Sequence, residues 1–540
     1  MSERLQHFIA AIVARLAPVE KEANLAYWDF TTTGNKESED RFTRLQVALR
    51  RIYADRAAFD QFKALTAESP AGDARLSRQV ILLRNAFLGN QLDEATIQEL
   101  TEREVAIGSI FNTFRADLAG GKVTENQIRD VLQHSDDPVL RRQAWEASKQ
   151  IGRQVAGLLL ELVELRNRSA RQLGFDNYYR MQLTLQELDE DELFATLDEL
   201  DRRVSPIYRA YKARLDGQLA NRFGIAAEEL RPWHYADPFF QEAPAAEPSV
   251  QQLLTRVYAG QDIESLIRRF YRAIGLDVDD ILARSDLYER AGKQQHAYCT
   301  HIDRRGDVRV LANVEPNAYW MATMLHECGH AAYEKYLAPD LPYLLRQPAH
   351  TLFTEAVAML MGRLAIDPDW MTAYPGVPAD TLTPAADGLR WQLAGDLLIM
   401  ARWVPVMSRF ERALYDDPHQ DLNRLWWDLE EQLQQVPRPE DRDAPDWAAK
   451  IHLSTAPVYY HNYLMGEMIA SQLQYTLHAG VLGGGADARR RYVGDASVGR
   501  YLTEKVFRPG GVRHWEEALV FATGESLHPH YFVDQVSAVV

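Results

Sequence analysis

The stretch Leu325-His326-Glu327-Cys328-Gly329-His330 carries the residue types for hydrolysis at a metal ion. On a helix, His326 and His330 stand four residues apart on one face, about 6 Å apart along the axis. Two imidazoles in that register can reach one ion. Glu327 follows the first of them, where it can take a proton from a water activated by the metal. Zinc is the ion that this HExxH pattern points to, and a catalytic zinc takes three protein ligands and keeps a fourth position open.

The third ligand must come from elsewhere. Glu334 is one turn too far, because three ligands on successive turns span roughly 12 Å. Metzincin spacing would need glycine at 333 and histidine at 336, where the chain has Tyr333 and Tyr336. Thermolysin-like spacing would put an acid at 350, and aminopeptidase spacing at 349; these are His350 and Ala349. The first suitable acid downstream is Glu355, inside the apolar run Thr351-Leu352-Phe353-Thr354-Glu355-Ala356-Val357-Ala358-Met359-Leu360. A carboxylate in such a run is costly to bury unless it is paired or bound to a metal. Glu355 is therefore the expected third ligand.

The elements that position these residues read mostly as helices. Met321, Met324, Leu325 and Cys328 give apolar 3–4 spacing around the motif, and Val314-Glu315-Pro316-Asn317 is a start signal. Residues 1–120 hold several amphipathic segments, and 124–225 continue the helical period from a start at Thr124 to Gln127. The clearest break, 231–249, is rich in aromatics and prolines and reads as a packed loop. The strongest strand candidates are His296 to Ile302 and Val308 to Val314, joined by a turn at Arg304-Arg305-Gly306-Asp307. The glycine-rich Gly480 to Gly485 lacks the Gly-Lys-Ser/Thr of a phosphate loop and reads as a surface turn.

Sixty Lys and Arg against 77 Asp and Glu give a net charge of −17, which argues against nucleic acid as a partner. Two cysteines, Cys299 and Cys328, do not make a disulfide framework and fit a reducing compartment. The apolar run Phe8 to Ala14 lies within a helical stripe of Leu5, Phe8, Ile9, Ile12, Val13 and Leu16. It reads as a surface helix rather than a signal segment, and no run is long enough to span a bilayer. The expectation is a cytoplasmic monomer without membrane partners.

The zinc motif, the distant Glu355 and the C-terminal third together resemble the angiotensin-converting-enzyme family of peptidyl-dipeptidases, and the resemblance continues in order along most of the chain. The resemblance rests on the HExxH motif with distant Glu355, and on His296-Ala297 thirty residues before His326. It also rests on Trp426-Trp427, on Lys450-Ile451-His452, on Tyr460 and Tyr463 three apart, and on Phe507-Arg508-Pro509 and Trp515-Glu516-Glu517-Ala518. It implies a mainly α, ellipsoidal peptidase whose two halves flank a deep central channel with zinc at its floor and a small hairpin beside it. One peptidase domain would cover 1–540, with 1–120 as a helical lid and 121–540 as the catalytic core.

The resemblance also implies roles. Glu327 would be the proton shuttle, and Tyr463 and His452 would donate to the oxyanion. The strand around His296 and Ala297 would pair with substrate main chain. Lys450 and Tyr460 would grip the C-terminal carboxylate of a short peptide, so that cleavage releases a dipeptide. The family's carboxylate-binding glutamine aligns loosely with Arg256. Internal cutting, as in thimet-like oligopeptidases, is the competing activity; single-residue carboxypeptidase action and non-catalytic peptide binding stand behind it.

Three departures bear on this. Glu355 stands one residue further from His330 than is usual in the family. Met359 replaces an aspartate that supports a ligand histidine. Chloride-responsive members hold the anion with arginines at positions that here are Asn462 and Glu430, so no chloride is expected.

Overall fold

Helix formation follows from the apolar periodicity and from side chains that cap the first turns. In the computed structural model, which describes residues 2–68, 73–244 and 248–537, 72% of the chain is helical. Thr124 caps Glu125–His134 in a reciprocal capping box with Gln127, as its sequence predicts. Asn317 caps the motif helix, Ala318–Lys335, by accepting from the Trp320 N–H at 2.9 Å. The predicted packed loop is built around the short turn Pro232–His234, with Tyr235, Asp237 and Phe240 buried.

Two small antiparallel hairpins are the strands of the described residues. The predicted one is shorter than its sequence pattern. Tyr298–His301 pairs with Val308–Leu311 in the register Tyr298↔Leu311 to His301↔Val308. Beyond Leu311 the second strand turns to another partner: the Ala312 and Val314 N–H groups donate to Asp286 and Leu287 carbonyls. His296 and Ala297 therefore precede the ladder instead of lying in it. The second hairpin, Ala116–Leu118 with Gly121–Val123, lies at the end of the segment 1–120 that reads as amphipathic helices and just before the helix start at Thr124. Three-residue strands are too short for an alternating pattern to register, and Ala119 and Gly120, both at positive φ, form the tight turn.

The principal apolar core runs contiguously from Leu100 to Val536. The N-terminal helices bury a cluster of their own: Leu5, Phe8, Ile9, Ile12 and Leu16 of Ser2–Thr33 pack on Ile52, Phe62, Leu83 and Phe87. The predicted stripe faces this cluster. Leu344, far along the chain, also enters it, and Arg304 pairs with Glu20 at 2.8 Å. Among the described residues no helix is long and apolar enough to cross a membrane.

A cavity of about 1080 Å³ penetrates the main body. Its walls come from Gln241 to Pro244 of the packed loop, His296 to Tyr298, the motif helix, Ala386–Asp416, and the segment Ile451 to Tyr463. Concave, mostly apolar space of this size with a few convergent polar groups is the usual setting of a ligand site.

Candidate active site

Three helices meet at the cavity floor, and glycines set how closely. A Cβ on Gly329, inside the HExxH motif, would come within 2.8 Å of Ala358 Cα on the helix Thr351–Gly362. One on Gly466 would lie 2.9 Å from Glu355 Cβ. The motif helix, the Glu355 helix and the helix His461–Thr476 thus pack backbone to backbone, which brings Glu355 to the two histidines.

The Nε2 atoms of His326 and His330 are 3.2 Å apart. Glu355 Oε2 is 3.6 Å from the first and 3.7 Å from the second. These three are the described group of His, Cys, Asp and Glu whose ligand atoms converge, all within 4.8 Å of one another. Burial holds the His326 imidazole down to about 4 and drives His330 well below its ordinary value, so both present neutral nitrogens. Burial pushes the Glu355 and Glu327 carboxyls up to about 8, with Glu355 adding to the rise at Glu327. Glu355 Oε2 is buried and has no hydrogen-bond partner. Two neutral imidazoles and an orphaned buried carboxylate oxygen around one point fit a divalent cation with nitrogen and oxygen ligands.

The supports of these ligands are specific to the tertiary structure. His330 Nδ1 is 2.7 Å from Thr354 Oγ1, on the same helix as Glu355. The Tyr459 hydroxyl donates to Glu355 Oε1, leaving Oε2 to face the histidines. Such contacts orient a ligand and fix which atom it presents. His350, given no role by its sequence position, caps the Glu355 helix: its Nδ1 accepts from the Leu352 N–H at 3.1 Å. Its Nε2 is 2.8 Å from the Gln186 carbonyl. Glu334 is engaged elsewhere, 2.9 Å from His301 Nδ1.

Glu327 is 7% exposed and lines the cavity beside His326. His452 Nε2 and the Tyr463 hydroxyl are 3.1 Å apart, and both residues line the same cavity. Burial depresses His452 well below its ordinary value. Tyr463 packs against Tyr459 and Tyr460 with ring centroids 5.4 and 5.1 Å away, which fixes the phenol's direction.

Behind Gln241, which lines the cavity, Lys450 is buried among aromatic rings and is not itself a lining residue. Its Nζ lies 4.9 Å from the Phe239 centroid and 5.5 Å from those of Trp403 and Tyr460. It donates to Gln241 Oε1 at 2.9 Å, and the Tyr460 hydroxyl is 3.4 Å from the same oxygen. Arg256 does not take this place. It is exposed on the helix Pro248–Tyr258 and is not among the residues lining the cavity. The amide beside Lys450 is instead Gln241, held there by the aromatic packing of the loop. His296 and Ala297 line the cavity, with His296 Nε2 3.6 Å from Glu125 Oε2.

Gln241, Thr354 and Tyr459 have no distinctive spacing from the motif, so only proximity in space reveals them. With this geometry in view, comparison with known proteins gives two findings. A family model described as angiotensin-converting enzyme matches residues 1–529. An "Inactive angiotensin-converting enzyme-related protein" of Caenorhabditis elegans is 21% identical over 336 residues. That match covers 55% of this chain but 37% of the relative, so well under two thirds of that protein's length is spanned. The whole-length family match, on a mainly helical fold with a buried His-His-Glu cluster, means that this chain belongs to the angiotensin-converting enzyme family of peptidases.

Proposed function

We propose that the protein is a zinc-dependent peptidyl-dipeptidase acting on short peptides with a free C-terminus. The observation that carries this reading is one cavity holding two kinds of site. At its floor are His326, His330 and Glu355; on its wall is Gln241, hydrogen-bonded to a caged Lys450. Lys450 has no carboxylate partner among the described ion pairs, so a substrate carboxylate can provide one.

His326, His330 and Glu355 would hold the zinc, which supplies Lewis acidity toward a scissile carbonyl and toward water. Glu327 takes the proton of the attacking water and passes it to the leaving amine. Tyr463, aided by His452, donates a hydrogen bond to the oxyanion that develops on the substrate carbonyl. His296 and Ala297, free of the hairpin ladder, offer main-chain groups to an extended peptide. Lys450, Gln241 and Tyr460 bind the terminal carboxylate and set where the chain is cut.

The relative's name calls it inactive, which describes that protein. In this chain Glu327 and the three ligand residues are all in place, which favours catalysis over peptide binding alone. The test uses one decapeptide as free acid and as C-terminal amide, with products identified by mass spectrometry. Release of the C-terminal dipeptide from the free acid, and little or none from the amide, is expected. Equal internal cleavage of both would replace this reading with an oligopeptidase; loss of single residues would make the protein a carboxypeptidase.

The same reading includes indifference to chloride. Asn462, before the proposed oxyanion donor, is buried and donates to the Tyr459 carbonyl at 2.9 Å. Glu430 is 4% exposed, and burial pushes its carboxyl up to about 8 against the pull of Lys149. Whether protonated or ionised, an acid at that place offers an anion no positive charge, and a buried anion needs cationic or multiply donating surroundings. Swapping acetate for chloride at constant ionic strength should leave kcat/KM unchanged within about twofold. A severalfold rise would show an anion site built from other residues. The two cysteines are free thiols, which supports a reducing compartment such as the cytoplasm.

A further inference from the structure

Besides Glu327 and the exposed Asp130, which lies 3.0 Å from His134 Nδ1, three carboxylates line the cavity wall, and two of these are neutralised. Glu242 pairs with Arg129 at 2.6 Å, and Glu467 pairs with Arg363. The third, Asp396, has no Lys or Arg partner among the described residues. Its Oδ1 accepts from the Ala243 N–H at 2.8 Å and lies 3.5 Å from Gln392 Nε2. Among the described residues no hydrogen bond reaches its second oxygen, and the residue lines the cavity.

The position of Asp396 relates it to the proposed carboxylate grip. Ala243, its hydrogen-bond donor, is two residues from Gln241, which accepts from Lys450. On its own helix, Asp396 is seven residues before Trp403, the ring beside Lys450 and Tyr460. Seven helical residues place the two about 10 Å apart along the axis. Leu397 and Met400, between them, also line the cavity and present an apolar strip from the grip to Asp396. A terminal residue held by its carboxylate at Lys450 can lay a long aliphatic stem along that strip. Only a side chain that is both long and cationic meets the apolar strip and then the uncompensated acid, which is the chemistry of lysine and arginine.

We infer that Asp396 selects substrates with a lysine or arginine at the C-terminal position. The inference deepens the dipeptidase reading and rests on it for the direction of the bound peptide. Burial, with Glu242 and Glu467 nearby, pushes the Asp396 carboxyl up to about 8, the behaviour of an acid that lacks a cation. A substrate ammonium or guanidinium supplies that charge and forms a charge-assisted hydrogen bond with Asp396.

The experiment measures peptide affinity calorimetrically on the zinc-loaded Glu327→Gln protein, and kcat/KM on the active protein. The peptides differ only in having Lys, norleucine or acetyl-lysine at the last or the penultimate position. Lysine at the last position should bind roughly 10- to 100-fold more tightly than norleucine or acetyl-lysine, and far less discrimination should appear at the penultimate position. Asp396→Asn keeps the acceptor for the Ala243 N–H; it should abolish the lysine preference and leave the norleucine peptide within about twofold. Equal affinity for Lys and norleucine in the parent protein overturns the inference, as does a preference that survives Asp396→Asn or that resides at the penultimate position. Cleavage at another bond while the terminal-lysine preference and its loss in Asp396→Asn persist would overturn the dipeptidase reading alone.

Discussion

Glu327→Gln should leave zinc content and peptide affinity close to those of the parent protein while lowering kcat by roughly 100- to 10,000-fold. Glutamine matches the shape of the side chain but cannot carry the proton from water to the leaving amine. Glu327 is buried beside His326 and is not one of the three converging ligand residues, so the metal set remains whole. The measurement pairs single-turnover kinetics with zinc analysis and calorimetric binding of one peptide. Turnover within about tenfold of the parent would mean that another group moves the proton. Loss of zinc together with turnover would mean that Glu327 acts structurally.

Glu355→Ala should act on the metal itself. Removing a direct ligand should weaken zinc binding by at least the roughly 10- to 100-fold known for contacts one layer further out. The variant also removes a buried carboxylate oxygen that has no hydrogen-bond partner in the protein. Such a group destabilises the metal-free fold, and metal binding relieves that cost. In the parent protein, zinc should therefore raise Tm appreciably over the metal-free form. In Glu355→Ala that rise should shrink or vanish; because the variant also deprives the Tyr459 hydroxyl of its acceptor, the zinc-dependent difference in Tm is the readout in parent and variant. Differential scanning calorimetry with and without zinc reads both. An undiminished zinc-dependent rise, with full zinc retention after dialysis, would remove Glu355 from the ligand set.

The parts of this site that follow local rules were legible early. His326 and His330 share a face because four residues make about one helical turn. Glu355 stood out because a lone acid in an apolar helix requires compensation. The helix starts at Thr124 and Asn317 came from their own side chains, and both caps form. The hairpin was recognised but its ends were not. Where Tyr298–His301 stops pairing depends on Asp286 and Leu287, which compete for the partner strand from outside the hairpin.

Arg256 and Gln241 mark the boundary most sharply. Between the helices ending at Phe223 and beginning at Pro248, the chain has no sustained 3.6- or 2-residue period, so counting along it could not place an amide. Aromatic packing of Tyr235 and Phe240, with the buried Asp237 holding the Phe239, Gln241 and Glu242 N–H groups, fixes that loop and aims Gln241 at Lys450. Tyr459 and Thr354 likewise acquire their roles through Glu355 and His330, which they meet only after three helices close on Gly329 and Gly466.

The amino-acid sequence by itself determined the mainly helical class, the two-histidine register, the acid beside it and the need for a third ligand. All of these are consequences of short-range geometry and of the cost of burying charge. Tertiary structure alone decided which oxygen of Glu355 is left facing the histidines, which amide joins Lys450, and which wall carboxylate lacks a cation. Those outcomes depend on contacts between segments from about 100 to more than 200 residues apart, and no local period encodes such contacts.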